Sequence, residues 1–211
     1  MLRSYAQAVE PMPVALQTNL MPMLFERLRV DKQLVVLDMG PASGATVKFF
    51  NQFRCRLSFV DFGGEELLSQ QEAEHDEMLS CFRSALNLKP GTKVDLCLFW
   101  DLFNYLDQTA LRAFLEALEP YVDRNTRGHC LGVLTSRSSL PFYQYGIGSL
   151  TSLTQADRHG QQWPVHPHSL RDLSSLLGYF EIRKSRLMQD GRAEYLLSEN
   201  RDPKPAAGQF L

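Results

Sequence analysis

The sequence lacks any apolar run close to the roughly 18 residues that a membrane-spanning helix needs. Charge of one sign is also lacking, because 22 Lys and Arg residues face 24 Asp and Glu residues and leave a formal net charge of −2. With this balance, the chain as a whole has no strong positive field that would attract a nucleic-acid backbone or an anionic membrane. The first 16 residues lack the cationic and then apolar order of a secretion signal. We therefore expect a cytoplasmic protein without membrane or nucleic-acid partners.

Cysteine is scarce, and its spacing excludes the common thiol-based sites. None of the four cysteines lies within four residues of another, so the chain contains neither a zinc-ribbon pattern nor a CxxC redox pair. The four are Cys55, Cys81, Cys97 and Cys130. A His-Pro-His sequence at 166–168 has no neighbouring cluster of Cys, Asp or Glu that would complete a metal site. We therefore expect reduced thiols in a reducing compartment and no bound metal.

Apolar and polar segments alternate along the 211 residues, a length that suits a single domain. The apolar segments are continuous, which is typical of strands covered on both faces in a parallel sheet. Strands are predicted at 34–40, 56–62, 79–83, 94–101 and 129–135, and helices between them at 45–53, 65–77 and 108–122. This order predicts a Rossmann-like doubly wound α/β sheet, which binds ligands outside the carboxyl ends of its strands.

Two segments outside this alternation extend the predicted architecture. Leucine at every fourth position predicts a helix over 14–29, bent or split at Pro22, within an N-terminal helical cap of residues 1–30. Residues 136–168 are rich in Gly and Ser and predict a loop-rich insertion. Since this insertion follows the fifth strand, its aromatic side chains either cover a bound acceptor as a lid or shield the edge of the sheet. They are Phe142, Tyr143, Tyr145 and Trp163.

The chain closes with a predicted helix at 169–180 and two predicted strands at 180–188 and 192–199. The sequence Asp190-Gly191 separates the two strands and is a strong hairpin signal. A terminal hairpin makes the last strand antiparallel to its neighbours. We therefore expect about seven strands in one domain over 1–199, followed by a flexible tail at 200–211.

Small residues connect the first predicted strand to its helix, in the order Asp38-Met39-Gly40-Pro41-Ala42-Ser43-Gly44. Glycine and alanine let the backbone of such a turn approach a ligand closely, and the helix that follows offers free N–H groups. Asp61 ends the second predicted strand 21 residues after Gly40, a spacing at which a carboxylate can accept hydrogen bonds from both ribose hydroxyls of a nucleoside. The alternative is a turn without a ligand and a solvated carboxylate that caps Phe62-Gly63-Gly64.

Four segments together resemble the class I S-adenosylmethionine-dependent methyltransferases. They are LDMGPASGA, SFVDF, VDLCLFWDLFNYL and the closing hairpin with its QDG turn. The first motif of the family reads acid-x-Gly-x-Gly-x-Gly, which Asp38, Gly40 and Gly44 match while Ala42 replaces the middle glycine. The resemblance covers about residues 15–199. It implies a methyltransferase that uses S-adenosylmethionine and acts on a small-molecule or protein acceptor, which the sequence does not identify.

The resemblance also implies which residues form the site. Asp38 and the backbone of the turn hold the methionine end of the cofactor, Asp61 holds the ribose, and Ser84-Ala85 lies where the family has an acid that reads the adenine amine. The residues assigned to the cofactor are Asp38, Gly40, Pro41, Ala42, Ser43, Gly44, Asp61, Phe62, Ser84, Ala85 and Trp100. Asp101, after the fourth strand, is the candidate catalytic residue, which orients the acceptor or accepts its proton.

Two other functions remain open on the sequence. A nicotinamide-dependent oxidoreductase also uses a glycine turn followed by an acid, but only Gly40 remains of its G-x-G-x-x-G pattern. A degenerate methyltransferase fold acting as a binding or scaffold protein is consistent with Ala42 and with the missing acid at Ser84. Methyl transfer relies chiefly on proximity and alignment, so the lack of an acid–base signature does not argue against an enzyme.

Overall fold

The computed structural model describes residues 13–28, 31–62, 73–134 and 139–200. In chain order, its strands are β1 (Val14–Gln17), β2 (Leu34–Asp38), β3 (Cys55–Phe59), β4 (Leu96–Trp100), β5 (Arg127–Gly132), β6 (Ser139–Ser149), β7 (Ser152–Pro164), β8 (Phe180–Leu187) and β9 (Ala193–Glu199). Its helices are α1 (Met21–Phe25), α2 (Gly44–Phe50), α3 (His75–Leu86), α4 (Gln108–Leu118) and α5 (Leu170–Leu176). Single 3-10 turns follow β4 and α4, at Leu102–Tyr105 and Glu119–Tyr121.

The main sheet has the strand order β3-β2-β4-β5-β9-β8. The first four strands in that order are parallel, whereas β9 is antiparallel to both β5 and β8. This confirms the predicted Rossmann-like sheet with a terminal antiparallel hairpin. The described residues supply six strands to it, where about seven were expected.

Apolar clusters cover both faces of the sheet, which explains the continuous apolar runs. In β4, Cys97 and Phe99 belong to the cluster that α3, α4 and α5 cover. Leu96, Leu98 and Trp100 belong to the cluster on the other face, with residues of α1 and α2. Successive side chains of a strand point to opposite faces, so a strand buried on both sides needs an apolar residue at every position.

One predicted strand, at 79–83, is wrong because these residues lie within α3. Buried side chains recur there with the helical period, at Met78, Leu79, Phe82 and Leu86. A five-residue window is too short to separate this period from that of a strand. Residues 63–72, which hold most of the helix predicted at 65–77, lie outside the described residues.

The predicted loop-rich insertion is also wrong, because β6 and β7 form a long antiparallel hairpin. Buried apolar side chains occupy every second position within each half of β6, at Leu140 and Phe142 and then at Tyr145 and Ile147. The alternation changes phase between the two halves, where the pairing with β7 is also irregular. Because of this break, the two-residue period typical of a strand cannot be recognised from the sequence over the whole of β6.

At the amino end, the predicted helix over 14–29 is correct only for its central turn. Residues 14–17 form β1, which pairs with β7 and makes a second, three-stranded sheet of order β1-β7-β6. Helix α1 starts only at Met21, and Pro22 lies in its first turn, where proline is tolerated. The other predicted strands and helices are confirmed with ends moved by a few residues. Residues 201–211 of the predicted tail lie outside the description.

We find no helix among the described residues that is both long enough and apolar enough to cross a membrane.

Candidate functional site

The carboxyl ends of β2 and β4 bring Asp38, Gly40 and Trp100 into contact. Asp38 is the last residue of β2 and is fully buried. Its Oδ1 accepts a hydrogen bond of 2.5 Å from the indole Nε1 of Trp100, while its Oδ2 has no hydrogen-bond partner among the described residues. Burial raises the pKa of Asp38 to about 8, against the opposing effect of the hydrogen bonds from Trp100 and the Gly40 backbone.

Trp100 ends β4 in a left-handed backbone conformation, with a φ of 51°. This conformation is uncommon for a bulky residue, and it accompanies a register shift in the pairing of β4 with β5. The indole lies beside Gly40, so close that a Cβ on Gly40 would stand 3.2 Å from Trp100 Cδ1. Trp100 therefore fills the space next to Gly40 into which the sequence predicted a ligand.

The β6–β7 hairpin rests directly on the turn at 40–44. Gln144 Nε2 donates a 2.7 Å hydrogen bond to the carbonyl oxygen of Ala42. A Cβ on Gly146 would overlap Ser43 Oγ, so only glycine permits this approach of β6 to the turn. Ser43 is buried, while Ala42 and Gly44 stay exposed and Pro41 is half-buried. The hairpin thus covers the inner side of the turn and leaves its outer side open.

Asp61 lies two residues after β3 and is exposed. Arg158 of β7 forms an ion pair with it, with 2.9 Å between Nη1 and Oδ1. Phe62, in contrast, is fully buried and packs edge to face against Phe82 and Phe114. The carboxylate assigned to the ribose therefore already has a cationic partner on the hairpin, and Phe62 contributes to the core.

Ser84 and Ala85 lie in the last turn of α3 rather than after a strand. Ser84 is exposed, and Ala85 packs against the core. The chain runs from this end of α3 to the amino end of β4, which is the opposite edge of the sheet from Asp38 and Asp101. The structure therefore does not bring these two residues to the others.

Asp101 follows Trp100 and is buried under two tyrosines. The hydroxyl of Tyr145 donates to Asp101 Oδ2 at 2.9 Å, and that of Tyr105 lies 3.0 Å from the same oxygen and from the carbonyl oxygen of Pro141. Burial raises the pKa of Asp101 to about 6, opposed by these two hydrogen bonds and by the charge of Arg192. The ring of Tyr145 also stacks on Trp100, with 5.4 Å between centroids.

Arg192 links this cluster to the terminal hairpin. Its Nη1 donates to the Tyr145 hydroxyl at 2.5 Å, and its Nη2 donates to Gln155 and to Asp190 of the hairpin turn. A pocket of about 250 Å³ opens beside these residues, bounded also by Tyr143. Asp101 and Arg192 both line it, so a buried carboxylate and a guanidinium face the same small volume.

A third buried acid, Glu194, lies behind Trp100. Glu194 Oε1 accepts hydrogen bonds from His129 Nε2 at 2.8 Å and from the Thr18 hydroxyl, and its Oε2 accepts from the Asn19 N–H at 3.2 Å. Burial by itself would raise the pKa of Glu194, but the hydrogen bond and charge of His129 hold that pKa below its ordinary value. The pair joins β5, β9 and the segment before α1.

Four residues that contribute to these hydrogen bonds and ion pairs were not predicted from the sequence. They are Arg158, Arg192, His129 and Glu194. Arg192 directly follows the predicted Asp-Gly turn, but nothing in the sequence places this turn beside Asp101. His129 and Glu194 had none, because they meet only through the antiparallel pairing of β5 with β9. Among the residues described, no group of three or more His, Cys, Asp or Glu is placed to hold a metal ion.

The sequence matches no protein-family model, and a search of curated proteins finds no match either. Solved structures do match. An S-adenosylmethionine-dependent methyltransferase from Clostridium acetobutylicum aligns at 14% identity over 86% of this chain and 89% of that chain, with a TM-score of 0.50. CalS10, an amino pentose methyltransferase from Micromonospora echinaspora solved with S-adenosylmethionine, aligns at 11% identity over 86% and 89%, with a TM-score of 0.51.

DesVI from Streptomyces venezuelae aligns at 8% identity over 85% of this chain and 90% of that chain, with a TM-score of 0.51. At identities this low, the likeness concerns the path of the backbone and not the side chains of the site. The strand order and the terminal hairpin agree with it. The protein therefore has the fold of the class I S-adenosylmethionine-dependent methyltransferases.

Proposed function

We propose that the protein is an S-adenosylmethionine-dependent methyltransferase whose acceptor is a small molecule bound beside Asp101. The observation that carries this proposal is the juxtaposition, at one edge of a methyltransferase sheet, of the acid-and-glycine turn with a pocket that Asp101 and Arg192 line. The pocket of about 250 Å³ is slightly smaller than the roughly 300–1,000 Å³ that is typical of ligand sites. That size favours a small acceptor over a protein side chain presented on a large surface.

The candidate site contains hydrogen-bonding groups of the types that could bind S-adenosylmethionine. Asp38 Oδ2 is a buried carboxyl oxygen with no hydrogen-bond partner among the described residues, and a bound ammonium group would favour the ionised form of this carboxyl. Asp61 offers a carboxylate for ribose hydroxyls, once it exchanges its bond with Arg158. Bound there, the cofactor would supply an electrophilic methyl group. Trp100 must then leave the face of Gly40, since its indole fills the adjacent space.

Asp101 is suited to accept a proton from the acceptor. Its pKa of about 6 leaves the carboxylate ionised at neutral pH while keeping it more basic than an ordinary aspartate. The hydroxyls of Tyr105 and Tyr145 fix the orientation of one carboxylate oxygen. Arg192, bonded to the Tyr145 hydroxyl, stabilises negative charge in the pocket. We therefore assign proton acceptance to Asp101 and its positioning to the two tyrosines.

One observation favours the alternative of a binding protein without catalysis. Other side chains of the protein already bind the polar groups of the predicted cofactor site. Trp100 donates a hydrogen bond to Asp38, Arg158 forms an ion pair with Asp61, and Gln144 donates to the carbonyl oxygen of Ala42. A protein that uses the fold only as a scaffold gains stability from such contacts. An enzyme must exchange them for its ligand. The two variants that follow distinguish these cases.

Replacing Asp61 with Ala should weaken S-adenosylmethionine binding by about 10- to 100-fold, the loss expected when hydrogen bonds to a charged group are removed. The matched control is Arg158→Ala, which breaks the same ion pair but leaves the carboxylate available to the ribose. Calorimetric titration with S-adenosylmethionine and S-adenosylhomocysteine measures both. Equal affinities in the two variants would show that Asp61 serves only the ion pair.

Replacing Trp100 with Ala should tighten S-adenosylmethionine binding by about tenfold or more, because the ligand no longer displaces an aromatic stack and a hydrogen bond to a carboxylate. Trp163→Phe serves as the control, since it alters the other tryptophan, which lies on β7. The measurement is a titration of both variants and of the unaltered protein with S-adenosylmethionine, under conditions in which the same fraction of each protein is folded. Weaker binding in Trp100→Ala would instead make Trp100 part of the cofactor site.

A further inference from the structure

A second pocket, of about 390 Å³, lies at the other end of the main sheet. Arg127 begins β5 and Glu199 ends β9, its antiparallel neighbour, and both line this pocket. Asp38 is the last residue of β2 and Asp101 follows β4, so both lie at the opposite ends of the parallel strands. A six-residue strand such as β5 separates the two edges by roughly 20 Å, so the second pocket is distinct from the candidate active site.

Positive charge is concentrated around this pocket. Of the residues that the structure describes, five cationic ones and a single anionic one, Glu199, line the pocket. The five are Arg27, Arg124, Arg127, Arg183 and Lys184. Two further carboxylates lie nearby, since Glu181 pairs with Arg183 at 3.2 Å and Asp123 acts on Arg127. Cations still outnumber carboxylates by five to three, in a chain whose net charge is −2.

The structure holds two of these guanidinium groups in place. Arg127 Nη1 donates to the carbonyl oxygens of Arg124 and Thr126, whereas its Nε finds no acceptor among the described residues. Arg183 Nε donates to Ser198 Oγ at 2.7 Å. Burial and the like charges of Arg27 and Arg183 lower the pKa of Arg127, and the carboxylates of Asp123 and Glu199 only partly oppose this effect.

We propose that this pocket binds a small organic molecule that carries phosphoryl groups. Planar guanidinium groups match the oxygens of a phosphate in paired hydrogen bonds, and the local excess of cations over carboxylates suits an anionic ligand. Met23 and Leu196 add an apolar wall for the organic part. The concave shape favours a small ligand over a nucleic-acid strand, which needs an extended basic surface.

Calorimetric titration of the full chain at low salt tests the proposal, with ADP, pyrophosphate and adenosine as probes. ADP and pyrophosphate should bind and adenosine should not, because the phosphoryl groups carry the recognition. Arg183→Ala and Arg27→Ala should each weaken ADP binding by about tenfold. Arg127→Ala is avoided, since Arg127 also holds backbone carbonyl groups.

The control is Arg186→Ala, an exposed arginine on the same strand as Arg183 but outside the pocket lining. It should leave ADP binding unchanged. The proposal is overturned if neither ADP nor pyrophosphate binds at millimolar concentration, if Arg186→Ala weakens binding as much as Arg183→Ala, or if a single-stranded oligonucleotide binds more tightly than ADP. S-adenosylmethionine titrations of the same variants report separately on the proposed methyltransferase, which involves none of these residues.

Discussion

Replacing Asp38 with Asn should stabilise the protein above about pH 7 and remove much of the decline in its stability between about pH 4 and pH 8. Asp38 is fully buried, and within the described part of the chain its hydrogen-bond donors are the Trp100 indole and the Gly40 backbone, neither of which is cationic. An ionised carboxylate is costly at such a position. Asn keeps an oxygen acceptor for Trp100 and carries no charge at any of these pH values.

The sign follows from the two pKa values of Asp38. In the folded chain its pKa is about 8, and in the unfolded chain about 3.9. Below the unfolded value both states hold the proton, and the favourable contribution is fully present. Between the two values only the folded state holds it, so stability falls with rising pH by up to about 1.4 kcal/mol per pH unit. Above the folded value the contribution is lost.

Urea unfolding at a series of pH values measures this effect. Asp157→Asn, which alters an exposed residue of β7, is the control and should retain the full pH dependence. Asp101, with a folded pKa of about 6, adds a smaller decline of the same sign, which persists in Asp38→Asn. A decline in Asp38→Asn as steep as that of the unaltered protein would contradict the burial of a protonated Asp38.

Much of the sheet could be predicted from the sequence, because local patterns determine it. The continuous apolar run at β4 places one set of side chains on each face, and the Asp-Gly turn marks the terminal hairpin. The acid-and-glycine turn likewise depends on neighbouring residues, so Asp38 and Gly40 were found at the end of the first parallel strand. These features need no knowledge of distant parts of the chain.

The contacts that distinguish this site depend on distant residues and could not be predicted in the same way. Trp100 lies on Gly40 because its backbone is left-handed, a conformation that no local pattern signals. Tyr145 and Arg158 reach the site only because β6 and β7 pair as a hairpin. The phase change within β6 concealed that hairpin, and with it the partners of Asp101 and Asp61.

The β6–β7 hairpin affects both the contacts within the candidate site and the ligand binding proposed for it. It supplies Arg158, which pairs with Asp61, and Tyr145, which donates a hydrogen bond to Asp101 and stacks on Trp100. If the proposed function is correct, an entering cofactor would compete with contacts inside the protein, and the cost of displacing them would reduce its apparent affinity. Weak binding by the unaltered protein with tight binding by Trp100→Ala would be the signature of this competition.

Replacing Glu194 with Ala should destabilise the protein by about 3–5 kcal/mol, because it removes a buried carboxylate that accepts hydrogen bonds from three donors. The carboxylate accepts hydrogen bonds from His129, from the Thr18 hydroxyl and from the Asn19 N–H. Its loss leaves all three donors without that acceptor. Thr18 and Asn19 connect β1 to α1, so the same change loosens the strand that supports β7.

Urea unfolding at neutral pH gives the measurement, with Glu116→Ala as the control. Glu116 is exposed and pairs with His75 and Arg83 at the surface, where an ion pair contributes about 0–1 kcal/mol. The double variant His129→Leu with Glu194→Leu should cost less than the two single leucine changes added together, because it removes both members of the pair. A cost below about 1 kcal/mol for Glu194→Ala, similar to that of a surface pair, would show that Glu194 does not anchor the segment at 18–19. The stacking of Tyr145 on Trp100 would then depend on the β6–β7 hairpin without support from the amino-terminal strand.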